Sequence, residues 1–354
     1  MKKCLIKAIQ MFSVLMLVIN ITASGQSTSP FNHLAVKDTI NEYAFIVSGH
    51  FHGASTNYST FPASTILANL DTLNSQHALF LMSLGDLFLD VNDTYLQHYH
   101  KSLFQKLAMP FFNVVGNHDI ANGNMYEKVY GKTWFSFKCG SELYIGLNTE
   151  VNDGNIKEEQ LDFFKNTLKQ VGTGEIKNVF IFSHRPVWAE SIEKYKKLFT
   201  DNTRTAFGKN NFSKTIEPLL KTSSTHAAIF WISGSLGSGP ASFFYDRDEQ
   251  ANITYMQTAI RNVPRDAVLK VDLKKGKVSF SGISLTGEKL NAISSYNVDY
   301  WLKTISPDQQ FNFRLLPYLV ITMVKHHFFW IGVLFSLIIF SVICLVRKKW
   351  KKRE

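Results

Sequence analysis

The sequence predicts a layered α/β domain joined to one membrane-spanning helix, and three observations carry that expectation. Short apolar runs, each ending in a polar, loop-like cluster, alternate with helical patterns through the first half of the chain. β-rich pairs replace the alternation further on, and an uncharged apolar stretch from Phe328 to Val346 precedes a basic tail. The 354 residues, 45% hydrophobic and 19% charged, suffice for a large core and exclude disordered, collagen-like, coiled-coil and disulfide-scaffold classes.

Residues 1–25 begin with MKKCLIK, continue through an apolar stretch from Met11 to Val18 and leave through Thr22-Ala23-Ser24-Gly25. That is the anatomy of a secretory signal peptide. An uncleaved anchor is the alternative, although the apolar stretch is shorter than the roughly 20 residues a spanning helix needs. Residues 27–314 contain neither a long linker nor a repeat and read as one ectodomain. Within it, YAFIVSG, ALFLMSLG, PFFNVVG, NVFIFS and AAIFWIS read as buried strands. Helical patterns run from Ala63 to Gln76, Thr94 to Ala108 and Lys157 to Gln170.

The pair TWFSFKCG and ELYIGLNT, and the pair AVLKVDL and KVSFSGISL across a Lys-Lys-Gly turn, predict a second, antiparallel sheet region. Leu315 to Val324 is apolar, contains Pro317 and stops at Lys325-His326-His327; it is expected at the membrane interface or packed against the domain. Residues 328–346 are expected to span the membrane, and the positive-inside rule puts the tail, residues 347–354, in the cytoplasm. The reading is a single-pass type I protein whose N-terminal domain is extracytoplasmic, periplasmic or extracellular.

The net charge of +10 sits at the ends: +3 from Lys2, Lys3 and Lys7, and +5 from the tail, leaving +2 for everything between. A body so near neutrality, without a basic run interleaved with aromatics, excludes nucleic acid as the main partner. Of three cysteines, Cys4 falls in the signal and Cys344 in the membrane span, so Cys139 stands alone in the ectodomain and has no partner for a disulfide there. Sequons at Asn57, Asn92, Asn211 and Asn252 do not identify a host.

Polar residues gathered just after buried strands are where an open α/β sheet builds a ligand site. Here they are rich in metal ligands: His50 and His52, then Asp86 with Asp90 nearby, then Asn117, His118 and Asp119, then His184. An isolated histidine is more often a surface or core residue, but four clusters in register at strand ends are a far more specific signal.

The ordered motifs Gly49-His50-Phe51-His52-Gly53, Gly85-Asp86-Leu87-Phe88-Leu89-Asp90, Gly116-Asn117-His118-Asp119 and Ser183-His184-Arg185-Pro186 resemble the calcineurin-like metallophosphoesterases, over roughly residues 43–285. The resemblance implies a four-layer sandwich of two mixed β-sheets flanked by helices, and one or two divalent transition-metal ions, manganese, iron or zinc, that hydrolyse phosphate esters. It implies Asp86 as the bridging carboxylate, Asn117 and His184 as ligands of the second metal, and His52 as a ligand of the first. His118 matches the residue that protonates the leaving group, a task suited to an imidazole titrating near neutrality. Arg185 could contact a phosphate, a solvated surface arginine being the favoured alternative.

The pattern breaks in three places, the slightest at Asp90, which stands four residues after Asp86 where the family usually has an acidic residue or asparagine at the third. The family begins Asp-x-His, whereas this chain has His50-Phe51-His52, which keeps a ligand but loses a negative charge and disfavours hard cations. The family's last Gly-His-x-His appears here as Gly234-Ser235-Leu236-Gly237, so one imidazole is missing from each metal. His226 precedes the same strand and cannot compensate, while Tyr245, Asp246 or Asp248 could fold back as replacements. Two functions therefore stand: a membrane-anchored phosphoesterase acting on a phosphate mono- or diester of a small molecule, lipid or glycan, or a catalytically weak domain that uses the cleft to bind a phosphorylated partner.

Overall fold

Two mixed sheets form the centre of the molecule. In the first, β1 (Glu42–Ser48), β2 (Leu81–Ser83) and β3 (Phe111–Asn113) run parallel, while β10 (Ala267–Lys274) and β11 (Lys277–Ser284) add antiparallel on the free edge of β1, giving the order β11-β10-β1-β2-β3. The second contains β4 (Phe135–Cys139), β5 (Glu142–Gly146), β6 (Asn178–Ser183), β7 (Ala228–Ser233), β8 (Phe243–Asp248) and β9 (Ile253–Thr258), in the order β4-β5-β6-β7-β9-β8. The computed structural model describes residues 27–37, 42–189, 193–195, 198, 210–236, 239–304 and 316–350. The expected signal peptide, the end of the tail, Gly237 and most of the stretch from Trp188 to Asn211 lie outside the described residues.

The expected antiparallel second sheet is corrected. The two β-rich pairs are hairpins, but they belong to different sheets: β4–β5 opens the second and β10–β11 closes the first. All five residues of β5 are buried, and both of its edges are paired, antiparallel with β4 and in parallel register with β6. In the second sheet β5, β6, β7 and β9 are all mutually parallel.

Alternation along the strands sorts side chains into three cores. Phe180 and Phe182 of β6 point between the sheets, where they join Phe45, Phe80, Phe137, Tyr144 and Phe230, while Val179 and Ile181 point outward. The inter-sheet layer is largely aromatic, with Tyr144 and Phe180 stacked at 5.3 Å and Phe45 and Phe80 at 4.8 Å. Helices cover both outer faces: α1 (Ser64–Leu67), α2 (Leu70–Asn74) and α3 (Asp93–Ser102) on the first sheet, and α5 (Glu158–Leu168) and α6 (Glu217–Ser224) on the second. The short α4 (Met125–Tyr130) follows β3, and α7 (Val298–Lys303) seats Trp301 against Phe244. The result is the expected order of helix, sheet, sheet and helix.

After α8 (Leu316–Lys325) the chain continues into α9 (His327–Trp350). Within α9, His327–Lys348 is the one span among the described residues long and apolar enough to cross a membrane, and its 22 residues extend about 33 Å at 1.5 Å per residue. Helix α8 lies on the domain: Lys325 Nζ sits 4.3 Å above the Phe61 ring, and Thr322 is buried.

Candidate metal centre

Both sheets deliver residues to one place because their parallel strands end on the same side. The chain leaves β1 through Gly49 into His50 and His52, leaves β2 into Asp86, leaves β3 into Asn117, His118 and Asp119, and leaves β6 into His184. The two edges meet closely: a Cβ on Gly234 would lie 2.1 Å from the Leu84 carbonyl, and one on Gly49 would lie 2.9 Å from Gly234. Only glycine at position 234 allows that approach. His50 and Asp86 both adopt positive φ, 57° and 51°, the left-handed turn that redirects each strand end into the site.

Asp86 is the centre of the cluster. Its Oδ2 lies 3.4 Å from His50 Nε2, 3.5 Å from His184 Nε2 and 3.7 Å from His52 Nε2, with all four side chains buried. Burial alone would raise the Asp86 carboxyl; the imidazoles of His184, His52 and His50 outweigh it and hold the group well below the usual carboxylate range. Burial lowers His50 well below the ordinary imidazole value, against the pull of Asp86 and with help from His184, His52 and Arg261. Two overlapping donor sets result, His50–Asp86–His184 and His52–Asp86–His118, each with its ligand atoms within 4.8 Å of one another.

The tautomers suit coordination at two of the four histidines. His184 Nδ1 donates to the Leu84 carbonyl at 2.8 Å and His118 Nδ1 to the Leu89 carbonyl at 2.9 Å, which leaves each Nε2 as a lone-pair donor. Neither ring nitrogen of buried His52 has a hydrogen-bond partner. A buried imidazole left unpaired is costly, and a cation bound against Asp86 would satisfy the nitrogen facing it, Nε2. His50 differs. Its Nδ1 lies 3.5 Å from Arg261 Nη1, and a guanidinium can only donate, so this contact favours the proton on Nε2, the nitrogen turned toward Asp86.

The loops are tied by Asp119. Its buried carboxylate accepts from Gly116 N at 2.9 Å, Phe88 N at 3.0 Å, Leu87 N at 3.3 Å and Asn113 Nδ2 at 3.3 Å, which binds the Asp86 turn to the Asn117 turn. Gly116 packs so closely that a Cβ would sit 2.2 Å from Asp86 Oδ1. Asp119 thus shapes the site rather than lining it.

Arg185 is not a solvated surface residue. It is buried, with Nε 2.8 Å from Glu150 Oε2 and Nη2 donating to Asn117 Oδ1 at 3.3 Å. Asn117 itself is exposed. Burial raises the Glu150 carboxyl, with His184 and Arg185 opposing. Glu150 and Arg261 escaped the sequence reading although both follow the rule that revealed the others, standing just beyond β5 and β9. The other expected participants lie elsewhere. Asp90 accepts from Asn92 in its own turn and from Asn122 in the loop after β3, Asp246 is held by Tyr195 and Lys194, and Asp248 accepts from Gln250 N and Ala251 N. Tyr245 packs near Phe280, and His226 precedes β7 at the opposite end from the site. At Ser235, the backbone N donates to the His184 carbonyl at 2.7 Å and the carbonyl accepts from Gln257 Nε2 at 3.0 Å.

No protein-family model matches the chain, and no curated protein matches its sequence. Among solved structures it is similar to GAP50, the anchor in the inner membrane complex of Plasmodium, with 14% identity over 73% of this chain and 91% of that one, at a TM-score of 0.47. It is similar to a single mutant of Vps29 from Entamoeba histolytica, with 10% identity over 68% of this chain and 98% of that one, at a TM-score of 0.30. A third likeness is to the sulfate thiohydrolase SoxB of Thermus thermophilus, with 10% identity over 75% of this chain and 60% of that one, at a TM-score of 0.38.

Proposed function

We propose that the chain is a membrane-anchored, metal-dependent phosphoesterase that hydrolyses a phosphate mono- or diester outside the cytoplasm. The observation that carries this reading is the buried carboxylate of Asp86 ringed by three imidazoles, one of them, His52, with no hydrogen-bond partner on either nitrogen. Such a donor set fits one or two transition-metal ions, iron or zinc ahead of manganese, better than magnesium or calcium. Bound metal there would bind phosphate oxygens and lower the pKa of a coordinated water.

The ligands in this reading are His50, His52, Asp86, Asn117 and His184. His118, with Nδ1–H fixed on the Leu89 carbonyl, presents Nε2 to the site and in this reading acts as the general acid only in its doubly protonated form, giving the Nε2 proton to the leaving oxygen, rather than as a metal ligand. Arg185, braced by Glu150, holds the Asn117 amide and brings a buried positive charge beside the place an anionic ester would occupy. The domain plan follows: signal peptide 1–25, ectodomain 27–314, membrane helix 328–346 and cytoplasmic tail 347–354.

One observation favours the second reading, an inactive module that binds a phosphorylated partner. Arg261 stands against His50, and Ser235 occupies the place of a family histidine, so the His50–Asp86–His184 set is the poorer of the two. Elemental analysis of the purified protein, paired with hydrolysis of aryl phosphate mono- and diesters under added manganese, zinc and iron, separates the readings. The enzyme reading expects one or two metals per chain and turnover abolished by Asp86→Ala and by His118→Ala. Neither metal nor turnover would establish the binding module.

A further inference from the structure

A cavity lies between the domain and the helices that lead into the membrane span, apart from the metal-ligand cluster. It encloses about 580 Å³, with Ala54 and Asn57 on the domain side and Met323, His326, Phe328 and Phe329 on the helix side. Its wall is shared with the cluster. Asn57 lines the cavity and donates through Nδ2 to the His52 carbonyl at 2.7 Å, while Asn262 lines it and directly follows Arg261, the residue in contact with His50. Its other wall is the end of α8, with Thr322 and Met323, followed by Phe328 and Phe329 in the first turn of the helix long enough to cross a bilayer, so the cavity borders the start of that apolar span. Lys325, beside it on Phe61, adds a cation two residues before the span begins.

We propose that this cavity takes the hydrocarbon chain of a phosphate-bearing membrane lipid and presents its phosphate toward the His50–His52 turn. An apolar pocket walled by a membrane helix is reached from the bilayer without passing through water, which favours a lipid over a soluble ligand. The phosphate then lies on the side of the cation and the imidazoles. This deepens the phosphoesterase reading and rests on it for the fate of the lipid, but not for its binding.

The test uses the full-length protein in phosphatidylcholine vesicles containing a phosphatidic acid with a photoreactive diazirine in its acyl chain, with labelled residues located by mass spectrometry. Labelling is expected at residues 54–59 and 322–329, competed by excess unlabelled phosphatidic acid. Met323→Trp and Ala54→Trp fill the cavity from opposite walls, and each should weaken that labelling about tenfold, the equivalent of roughly two lost methylene contacts. Near-ultraviolet circular dichroism identifies any variant that fails to fold, leaving the other to decide. Labelling confined to residues 331–346, or cavity labelling that neither competitor nor variants reduce, overturns the proposal. Labelling requires no turnover, so a protein that labels at the cavity yet hydrolyses nothing retains the lipid site and loses the phosphoesterase reading. An active protein that does not label there does the reverse.

Discussion

Replacing Asp119 should separate the two loops that form the site. Asp119→Ala strands three backbone N–H groups and one side-chain amide, from Gly116, Phe88, Leu87 and Asn113, in a place where the parent carboxylate is 1% exposed. An unsatisfied buried donor costs about 1–3 kcal/mol, so even the low end puts the total at about 4 kcal/mol. For a domain of this size about 2–4 °C of melting temperature accompanies each kcal/mol, giving a drop of about 8–16 °C. Asp119→Asn preserves volume but turns an NH2 toward at least one of those donors. It should lose one bond, about 1–3 kcal/mol, and the corresponding fraction of the shift. Because the Asp86 and Asn117 turns are both held by this group, metal affinity should also fall about 10–100-fold, as for other residues supporting a ligand shell. Differential scanning calorimetry and zinc competition against a chromophoric chelator measure the two effects. Melting within 2 °C of the parent for both variants, with unchanged zinc affinity, would refute the assignment of Asp119 as the tie.

Gly116→Ala should remove metal binding while retaining the β-sheet signature in far-ultraviolet circular dichroism, since the new Cβ would stand 2.2 Å from Asp86 Oδ1; full metal content in this variant counts against Asp86 as a ligand. Arg261→Met should tighten zinc binding by about tenfold, because His50 Nδ1 is released to carry the proton and Nε2 becomes a donor; unchanged or weaker affinity would remove Arg261 from the account. Glu150→Gln removes the carboxylate charge that Arg185 Nε meets at 2.8 Å in a buried place and should cost about 3 kcal/mol or more, read by urea denaturation; a midpoint equal to the parent's would show the pair to be dispensable. Dialysis against a strong chelator should lower the melting temperature, and added zinc should restore it; indifference to both would mean that the folded protein binds no metal there.

The sequence makes the site more legible than the topology. Strand ends could be located because β1, β6 and β7 are apolar on both faces, and the rule that ligands gather beyond such strands brought His50, His52, Asp86, His118 and His184 together without knowledge of the sheet order. Sheet membership was not readable. The hairpins β4–β5 and β10–β11 have similar local patterns, and what separates them is the neighbour each finds across the fold, β6 for one and β1 for the other. Arg185 reads as a surface residue because an arginine beside a proline gives no local sign of burial; its environment comes from Glu150, 35 positions earlier. Arg261 presents the same difficulty, since its contact with His50 spans 211 positions.

The pairing of β1 with β10 also imposes an order on biosynthesis. Glu42 finds its partner at Lys274, so at about 5–20 residues per second β1 waits roughly 10–45 s after it is made before that edge is closed. Every histidine and carboxylate of the two donor sets has been synthesised by His184, well before the scaffold that orients them is complete. During that interval the nascent chain carries a constellation of soft metal donors together with an open, apolar strand edge. Premature metal capture and edge-to-edge association are thus the two errors this topology most exposes, and a factor that shields the N-terminal strands would suppress both.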